Sequence, residues 1–346
     1  MKHFTYACVH ALLLTTFLNF STQANEMQHT GKPNDMGPAG IMGDHSHAKG
    51  MWMTTYRYSQ MKMKQNQDGT HAVDNASVLA NFMMTPLDMS MDMHMFGLMY
   101  GATNNLTLMT MVPYIHKSMQ SLTRMGVRFR TASQGLGDIK LSGVYTLYPS
   151  GDHQGHHHHA PHQMLLQLGA SLPTGSITKR DGTPVGPNQK LPYPMQLGSG
   201  TIDPILGITY SGRQDDWSWG SQTNATLRFG KNNEGYRVGN QYQLTGWVAR
   251  NLNNYTSLSF RLDGNAWGNV HGRDRELNPM MAPSTRTDLR GGERVDALVG
   301  INLYQPKGPW AQHRLAAEFG VPLYQRLNGP QLETDYRLML GWQWSF

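Results

Sequence analysis

The sequence predicts an all-β protein, a transmembrane antiparallel β-barrel of about twelve strands with short periplasmic turns and long extracellular loops. First, apolar and polar residues alternate with a period of two through most of the chain after residue 50, as they do in strands with two different faces. Second, the polar faces of long strands carry ions, such as Arg261 and Asp263, which suit a wet barrel interior. Third, short and long connections alternate along the chain, as expected where every short turn lies in the periplasm.

The chain begins with the features of a secretory signal peptide over residues 1–24. Lys2 is followed by an apolar stretch and by small residues that end at Ala24. Cys8, the only cysteine, falls within this peptide, so we expect neither a disulfide nor a cysteine metal ligand in the mature chain. Residues 25–50, rich in Met and His, are predicted to form a periplasmic segment or a plug, and residues 51–346 the barrel.

The alternating stretches define the predicted strands. They lie near 51–64, 89–101, 106–116, 136–148, 163–172, 201–212, 217–229, 240–250, 255–266, 292–304, 312–323 and 332–346. The even number places both termini in the periplasm. The last strand ends on Phe346, which is typical of the signal that the barrel-insertion machinery recognises, so that machinery is a predicted partner.

The segments between the strands are of two kinds. Short links are predicted at 102–105, 213–216, 251–254 and 305–308, and long loops near 66–88, 117–135, 173–200 and 268–291. The Pro- and Gly-rich segment 173–200 is expected not to continue the hydrogen-bonded ladder of the sheet and to form the largest outer loop. A basic stretch in the second long loop could contact lipopolysaccharide phosphates; its cations are Lys117, Arg124, Arg128 and Arg130.

Alternation also assigns the two faces of the barrel wall. Aromatic residues near strand ends are predicted to form two girdles at the membrane surfaces: Trp52, Tyr56, Tyr58, Tyr114, Tyr145, Trp217, Trp219, Trp342, Trp344 and Phe346. Ions on the opposite faces are predicted to line the pore: Asp138, Lys140, Arg228, Arg261, Asp263, Arg294, Asp296, Arg314, Glu318 and Arg337.

The strand at 89–101, which begins MSMDMHMFGLMY, carries methionines on one face and Asp92 and His94 on the other. A charge facing lipid costs more than a methionine there, which favours placing Asp92 and His94 inside and the methionines outside. In the reverse phase, the methionines would join those of the neighbouring strands, Met109 and Met111 among them, in a thioether-lined lumen.

Histidine and methionine clusters are weak candidates for a metal site. The candidates are His45, His47 and His94, together with the histidine-rich run at 153–162. Imidazole suits Zn and Cu, and thioether selects Cu(I). A flexible tail, a plug and ordinary methionine packing are simpler interpretations, so no metal ligand is assigned and no cofactor is predicted.

Five segments carry a family resemblance. They are MGDHSHAKGMWMTTYRYS (42–59), GLGDIKLSGVY (135–145), SLPTGSI (171–177), GPNQKLPYPMQLGSGT (186–201) and GPQLETDYRLMLGWQWSF (329–346). The chain resembles the outer-membrane transporter family named for the meta-pathway of phenol degradation. The resemblance implies a barrel in the bacterial outer membrane that passes small, often hydrophobic molecules. It implies no particular site residues.

These observations favour an outer-membrane transporter or channel for passive uptake of small solutes, including hydrophobic or aromatic ones. The alternative is an outer-membrane protein that binds Cu or Zn or takes part in metal homeostasis. Neither a G-x-S-x-G nor an H-E-x-x-H motif occurs, and no enzymatic activity is predicted. The net charge of +6 on a secreted chain points to outer-membrane lipid, lipopolysaccharide and small solutes as partners, and not to nucleic acid.

Overall fold

A computed structural model describes residues 31–148 and 162–346. The predicted signal peptide and all of the histidine-rich run except His162 lie outside these residues. The described chain forms a closed antiparallel sheet in which each strand pairs with its neighbour in sequence. Its strands are β1 (Trp52–Gly69), β2 (Met84–Gly101), β3 (Leu106–Thr123), β4 (Ile139–Tyr148), β5 (His162–Leu172), β6 (Asp203–Gln214), β7 (Trp217–Thr226), β8 (Gln241–Asn251), β9 (Thr256–Trp267), β10 (Gly292–Gln305) and the run His313–Ser345.

The run His313–Ser345 crosses the barrel twice. Its first half, β11 (313–327), pairs with β10, and its second half, β12 (331–345), pairs with β1 and closes the sheet. The two halves face each other, because the ring of His313 stacks on Trp344 at 5.4 Å and the Gln325 side chain donates to the Thr334 carbonyl at 2.8 Å. The described residues thus make twelve crossings, and the predicted β-barrel is confirmed.

The barrel is apolar outside and polar inside. On β9, for example, Leu258, Phe260 and Leu262 are exposed on the outer face, whereas Arg261 and Asp263 are buried within. Aromatic side chains stand partly exposed where strands begin or end on the short-turn side: Trp52, Trp217, Trp344 and Phe346. A closed ladder with an outward apolar band and aromatic ends is the architecture of a bacterial outer-membrane barrel, and it places the protein in that membrane.

The extracellular side is more regular than the sequence predicts. The predicted loop at 117–135 is wrong, because β3 continues to Thr123 and pairs with a further strand, Arg128–Leu136. The segment 173–200 likewise contains a hairpin of Arg180–Thr183 and Gly186–Lys190, contrary to prediction. Within residues 31–148 and 162–346 there is one α-helix, α1 (Asn75–Asn81), which precedes β2, and the Asp74 carboxylate caps it by accepting from the Ser77 N–H at 2.7 Å.

The remaining elements are short and lie outside the closed sheet. His71–Val73 pairs with β1, and Tyr236–Arg237 pairs with His271–Gly272. Single turns of 3-10 helix occupy Tyr193–Met195 and Pro283–Thr285. Among the described residues, no helix has the length and apolar character needed to cross a membrane.

We expect Phe260→Arg to lower the free energy of unfolding by about 2–4 kcal/mol, because Phe260 is the middle of three outward apolar residues of β9 and the new charge would face lipid. Denaturant titration of protein folded into lipid vesicles measures the change. Leu252→Arg is the control, since Leu252 is exposed in the short turn after β8. Equal losses in both variants would contradict the assignment of the β9 outer face to lipid.

Candidate transport lumen

Strands β9–β12 present a connected set of ion pairs to the barrel interior, here called the ionic wall. Arg261 makes a two-pronged contact with Glu318, Nε to Oε1 at 2.7 Å and Nη2 to Oε2 at 3.0 Å. Arg337 bridges two carboxylates, with Nη1 at 2.8 Å from Asp263 Oδ2 and 2.6 Å from Asp296 Oδ2. Each carboxylate of this buried network faces at least one guanidinium group, so the charges compensate one another away from water.

The predicted pore-lining residues divide between this wall and the outer end of the barrel. Those that point inward from β9 to β12 are Arg261, Asp263, Arg294, Asp296, Arg314, Glu318 and Arg337. Asp138, just before β4, accepts from the backbone N–H groups of Gly175 at 2.9 Å and Ser199 at 2.7 Å, and so fixes the long loop 173–200. Arg228 pairs with Asp203 at 3.0 Å, and Lys140 faces an interior cavity.

The adjoining part of the interior, on β1, β2 and β3, is lined by methionine and is here called the methionine wall. Met53, Met99 and Met109 lie directly opposite one another on the three adjacent strands. They belong to one buried cluster with Met95 and Met111. The predicted placement of the β2 methionines toward lipid is therefore wrong, and the reverse phase, a thioether-lined interior, is the one the structure adopts.

Asp92 and His94 face outward, contrary to prediction. The Tyr58 hydroxyl donates to Asp92 Oδ1 at 2.6 Å, and the Tyr56 hydroxyl lies 2.7 Å from His94 Nδ1. The prediction assumed that the whole strand crosses lipid. The apolar part of the β2 outer face is confined to its last residues, Phe96, Leu98 and Tyr100, so Asp92 and His94 lie beyond it among polar and aromatic side chains.

Residues 31–51, here called the lumen segment, lie inside the barrel. Lys32 and Asn34 bond to the short turns after β6 and β8, through Asp216 at 3.4 Å and Asn251 at 3.2 Å, so the segment enters from the periplasmic end. Its return end meets the same rim, where the Gly50 N–H donates to the Gly101 carbonyl at 2.8 Å.

The middle of the lumen segment bonds to the barrel walls mainly through its backbone. The Gly40 N–H donates to Glu318 Oε2 at 2.7 Å, and Arg314 Nη2 donates to the Gly37 carbonyl at 2.6 Å. Gln222 donates to the Met42 carbonyl at 2.8 Å. A β-carbon on Gly40 would overlap the Arg261 guanidinium, so only glycine permits this approach.

The histidines of the lumen segment are buried within it. His45 Nδ1 lies 2.9 Å from Asp44 Oδ1, and the rings of His45 and His47 meet edge to face with centroids 5.0 Å apart. The His47 N–H donates to Thr107 Oγ1 at 2.8 Å. Of the three histidine candidates, His45 and His47 thus lie together in the interior, whereas His94 lies on the outer surface.

A cavity of about 440 Å³ adjoins the lumen segment. Thioethers of Met42, Met109 and Met111 border it. Amides and cations border it as well: Gln167, Gln222, Asn224, Gln243, Lys140 and Arg294. The cavity therefore offers apolar, polarizable groups together with polar ones, the combination found in sites for small organic molecules.

The outer mouth is partly covered by the loop 173–200. Leu191 and Met195 are buried against Met89 and Met119 of the methionine wall. The Lys117 ammonium donates to the Pro194 carbonyl at 2.8 Å and to the Gln196 carbonyl at 2.6 Å. Arg124 likewise donates to backbone carbonyls, those of Leu79, Ala80 and Phe82. Both cations, which were predicted to lie in the basic outer loop, are thus bonded to the backbone.

Among the described residues, one acidic cluster has the spacing of a metal site, namely Glu234, Asp274 and Glu276. The Lys190 ammonium sits among these carboxylates, 2.5 Å from Asp274 Oδ2 and 2.5 Å from Glu234 Oε2. Burial acts to lower the pKa of Lys190, but the hydrogen bonds and charges of Asp274 and Glu234 outweigh it and raise the pKa. The Lys190 ammonium occupies the position between the carboxylates that a metal ion would need. The cluster therefore acts as an ion-pair network that links outer loops.

Sequence reasoning did not identify Arg57 or the lumen segment's contacts. Arg57 is buried on β1, opposite Met95 on β2. The alternation of β1 could have placed it inside, since it lies an even number of residues from Met53 and Met61. The Gly37 and Gly40 contacts carry no periodic signal, because the lumen segment has no regular secondary structure.

Arg261→Leu should lower the free energy of unfolding by about 3–5 kcal/mol, because it leaves the buried Glu318 carboxylate without its guanidinium partner. The double variant Arg261→Leu/Glu318→Leu should recover part of this loss. Arg286→Leu, in an exposed pair with Asp288, is the control and should change stability much less. Denaturant titration in vesicles measures all three, and a double variant less stable than Arg261→Leu alone would contradict the network.

The model of the family described as "Putative MetA-pathway of phenol degradation" matches residues 66–278. None of the curated proteins compared with the chain matches it. An outer membrane channel from Pseudomonas putida F1 shares 15% identity, with 88% of this chain and 98% of that chain covered and a TM-score of 0.58.

A second solved structure is the transport unit of the autotransporter AIDA-I from Escherichia coli, with 11% identity, 89% of this chain and 94% of that chain covered, and a TM-score of 0.46. At these identities the structural likeness concerns the fold. The family model covers more than half of the chain. The chain is therefore an outer-membrane β-barrel that belongs to the family described as "Putative MetA-pathway of phenol degradation".

Proposed function

We propose that the protein is an outer-membrane channel for passive uptake of small solutes, single-ring aromatic molecules among them. The observation that carries the proposal is the cavity of about 440 Å³, which is lined by thioethers together with amides and cations. Its volume falls within the usual range for small-molecule sites. Thioether sulfur makes favourable contacts with aromatic rings, and amides or cations can hold a ring's hydroxyl or carboxylate group.

The lumen segment acts in this proposal as a plug that narrows the passage. A barrel of about twelve strands lies between those filled by side chains and those with open aqueous channels. Residues 31–51 occupy the periplasmic half of this interior and bond to both β11 and β7. The inward ions that the sequence singled out would set selectivity for polar groups of a solute passing beside the plug.

The proposal assigns no catalysis to the barrel and keeps two further partners. Phe346, exposed at the end of β12, suits recognition by the barrel-insertion machinery. Arg128, exposed at the start of the outer hairpin strand, suits contact with lipopolysaccharide phosphate. Fatty-acid release from outer-membrane lipids should not exceed that of heat-denatured protein, and a higher rate would contradict the absence of hydrolase activity.

Liposomes containing the purified protein should take up p-hydroxybenzoate faster than a pentose of similar size, because the ring can contact thioethers while the carboxylate meets Lys140 or Arg294. An aromatic carboxylate is the probe, since its charge slows leakage through the lipid itself. Swelling rates measure uptake. A barrel that passes neither solute, even after deletion of residues 31–50, would contradict the channel proposal.

Gly40→Val should raise uptake of both solutes several-fold, because the new side chain would overlap Arg261 and Glu318 and displace the lumen segment. Gly182→Val is the matched control: no atom lies within 4 Å of the position its β-carbon would take. Swelling rates should be unchanged in the control. Unchanged uptake in Gly40→Val, with normal gel mobility of the unboiled barrel, would contradict the plugging role of the segment.

A further inference from the structure

The methionine wall extends along the interior from one end of the barrel to the other. Met53, Met99 and Met109 form a cross-strand row near the periplasmic end, and Met63, Met89 and Met119 form another near the outer mouth. The two rows are ten residues apart on each strand, or about 33 Å along the strand. Further methionines lie between them on the same face: Met61, Met91, Met93, Met95 and Met111.

The two faces of these strands carry different types of apolar residue. The outer faces of β2 and β3 use Phe96, Leu98 and Leu108. The inner faces use methionine, although leucine has nearly the same volume and specifies a packed core better because its rotamers are fewer. The same strands thus carry carbon side chains toward lipid and sulfur side chains toward the lumen, which favours a role for the sulfur atom.

At the inner row, the lumen segment adds its own thioethers. Met36 and Met42 pack against the buried cluster of Met53, Met95, Met99, Met109 and Met111. With Met93, which also packs there, barrel and segment together place eight methionine side chains in one largely buried cluster. Neutral thioethers are soft ligands that select Cu(I) over harder ions, and several of them can replace the hydration of a monovalent cation.

The surrounding charges do not oppose a single cation strongly. Arg57 lies beside this cluster, opposite Met95. The acidic groups that face Arg57 are Asp44 of the lumen segment and Glu318 of the ionic wall. Their negative charges offset the repulsion that Arg57 would exert on a cation in the cluster.

From this arrangement we propose that the inner methionine cluster, formed where Met36 and Met42 of the lumen segment meet Met53, Met99 and Met109, binds a soft monovalent cation, Cu⁺ or Ag⁺. The site lies at the contact between segment and barrel, so bound metal would hold the two together. The inference does not rest on passage of organic solutes, because it concerns binding to the purified barrel and is measured without any flux.

Equilibrium dialysis of the full mature chain in detergent against Ag⁺, in nitrate buffer without chloride, tests the site, with bound metal measured by mass spectrometry. The triple variant Met53→Leu/Met99→Leu/Met109→Leu should bind Ag⁺ at least tenfold more weakly at this site, as expected on loss of ligands. Met-to-Leu changes conserve volume, so the variant should fold, and the mobility of unboiled protein on a gel checks this.

The matched control is Met83→Leu/Met125→Leu/Met280→Leu, which removes the same number of thioethers from exposed positions outside the cluster. Its Ag⁺ affinity should equal that of the unchanged protein. Histidines are the same in all three proteins, so the difference between variants reports the thioethers. Equal affinity in the two triple variants, or no Ag⁺ binding at all, would overturn the proposal.

X-ray absorption of protein loaded anaerobically with Cu⁺ provides a second measurement. Sulfur scatterers around the copper are expected, and they should be reduced in the inner-row triple variant only. Copper surrounded by nitrogen and oxygen alone would show an imidazole site elsewhere and would also overturn the proposal. Solute uptake is compared in the double variant Met53→Leu/Met99→Leu, because neither residue borders the cavity whereas Met109 does. Weaker Ag⁺ binding with unchanged uptake in that variant would separate the two functions.

Discussion

The closed ladder of backbone hydrogen bonds is the constraint on which the other features of this protein depend. A bilayer offers no water to an unpaired N–H or C=O group, so a sheet can span it only without open edges. The pairing of β12 with β1, from Met53 opposite Ser345 upward, removes the edge that β1 would otherwise expose. Once the ladder closes, the period of two assigns every side chain to lipid or to the interior, and a slip of one residue would exchange the two faces.

A closed barrel of this size has an interior that must be filled. Twelve crossings enclose more space than barrel side chains alone fill, and this protein fills it with two chemically different walls and a segment between them. The ionic wall is stable only as a set, because each buried carboxylate depends on a guanidinium partner. The lumen segment takes part in that set through its backbone, accepting from Arg314 at Gly37 and donating to Glu318 at Gly40.

Much of this arrangement can be predicted from the sequence, and the predictions that are wrong have identifiable physical reasons. Alternation places Arg261, Asp263 and Arg294 inside, because their strands cross lipid along most of their length. It could not orient the strand at 89–101, since the cost of an outward charge applies only within the apolar band and Asp92 lies beyond it. The decisive information is the pairing with β1, which sets Met99 beside Met53 in the interior.

The outer loops and the lumen segment could not be predicted for a different reason. Their conformation depends on contacts with residues far away in the sequence. The hairpin in 173–200 is held where the Asp181 carboxylate accepts from the Ala132 N–H at 2.7 Å, a contact between segments far apart in the chain. The lumen segment has no ladder and no helical period, and its position is set by side chains of the barrel. The composition of residues 25–50 indicated a plug as one possibility. The local sequence pattern, however, does not show which strands of the barrel the plug contacts.

The two walls together explain how the lumen segment can remain in place inside a wet barrel. Met36 and Met42 pack on the methionine wall, while the backbone at Gly37 and Gly40 bonds to charged groups of the ionic wall. Hydrogen bonds to charged groups are stronger than those between neutral groups, so the ionic wall holds the segment independently of its thioether contacts. A solute that displaced only the thioether contacts would leave the segment bound to the ionic wall. The geometry thus favours solutes that pass beside the segment, through the methionine-bordered cavity, over solutes that must expel it.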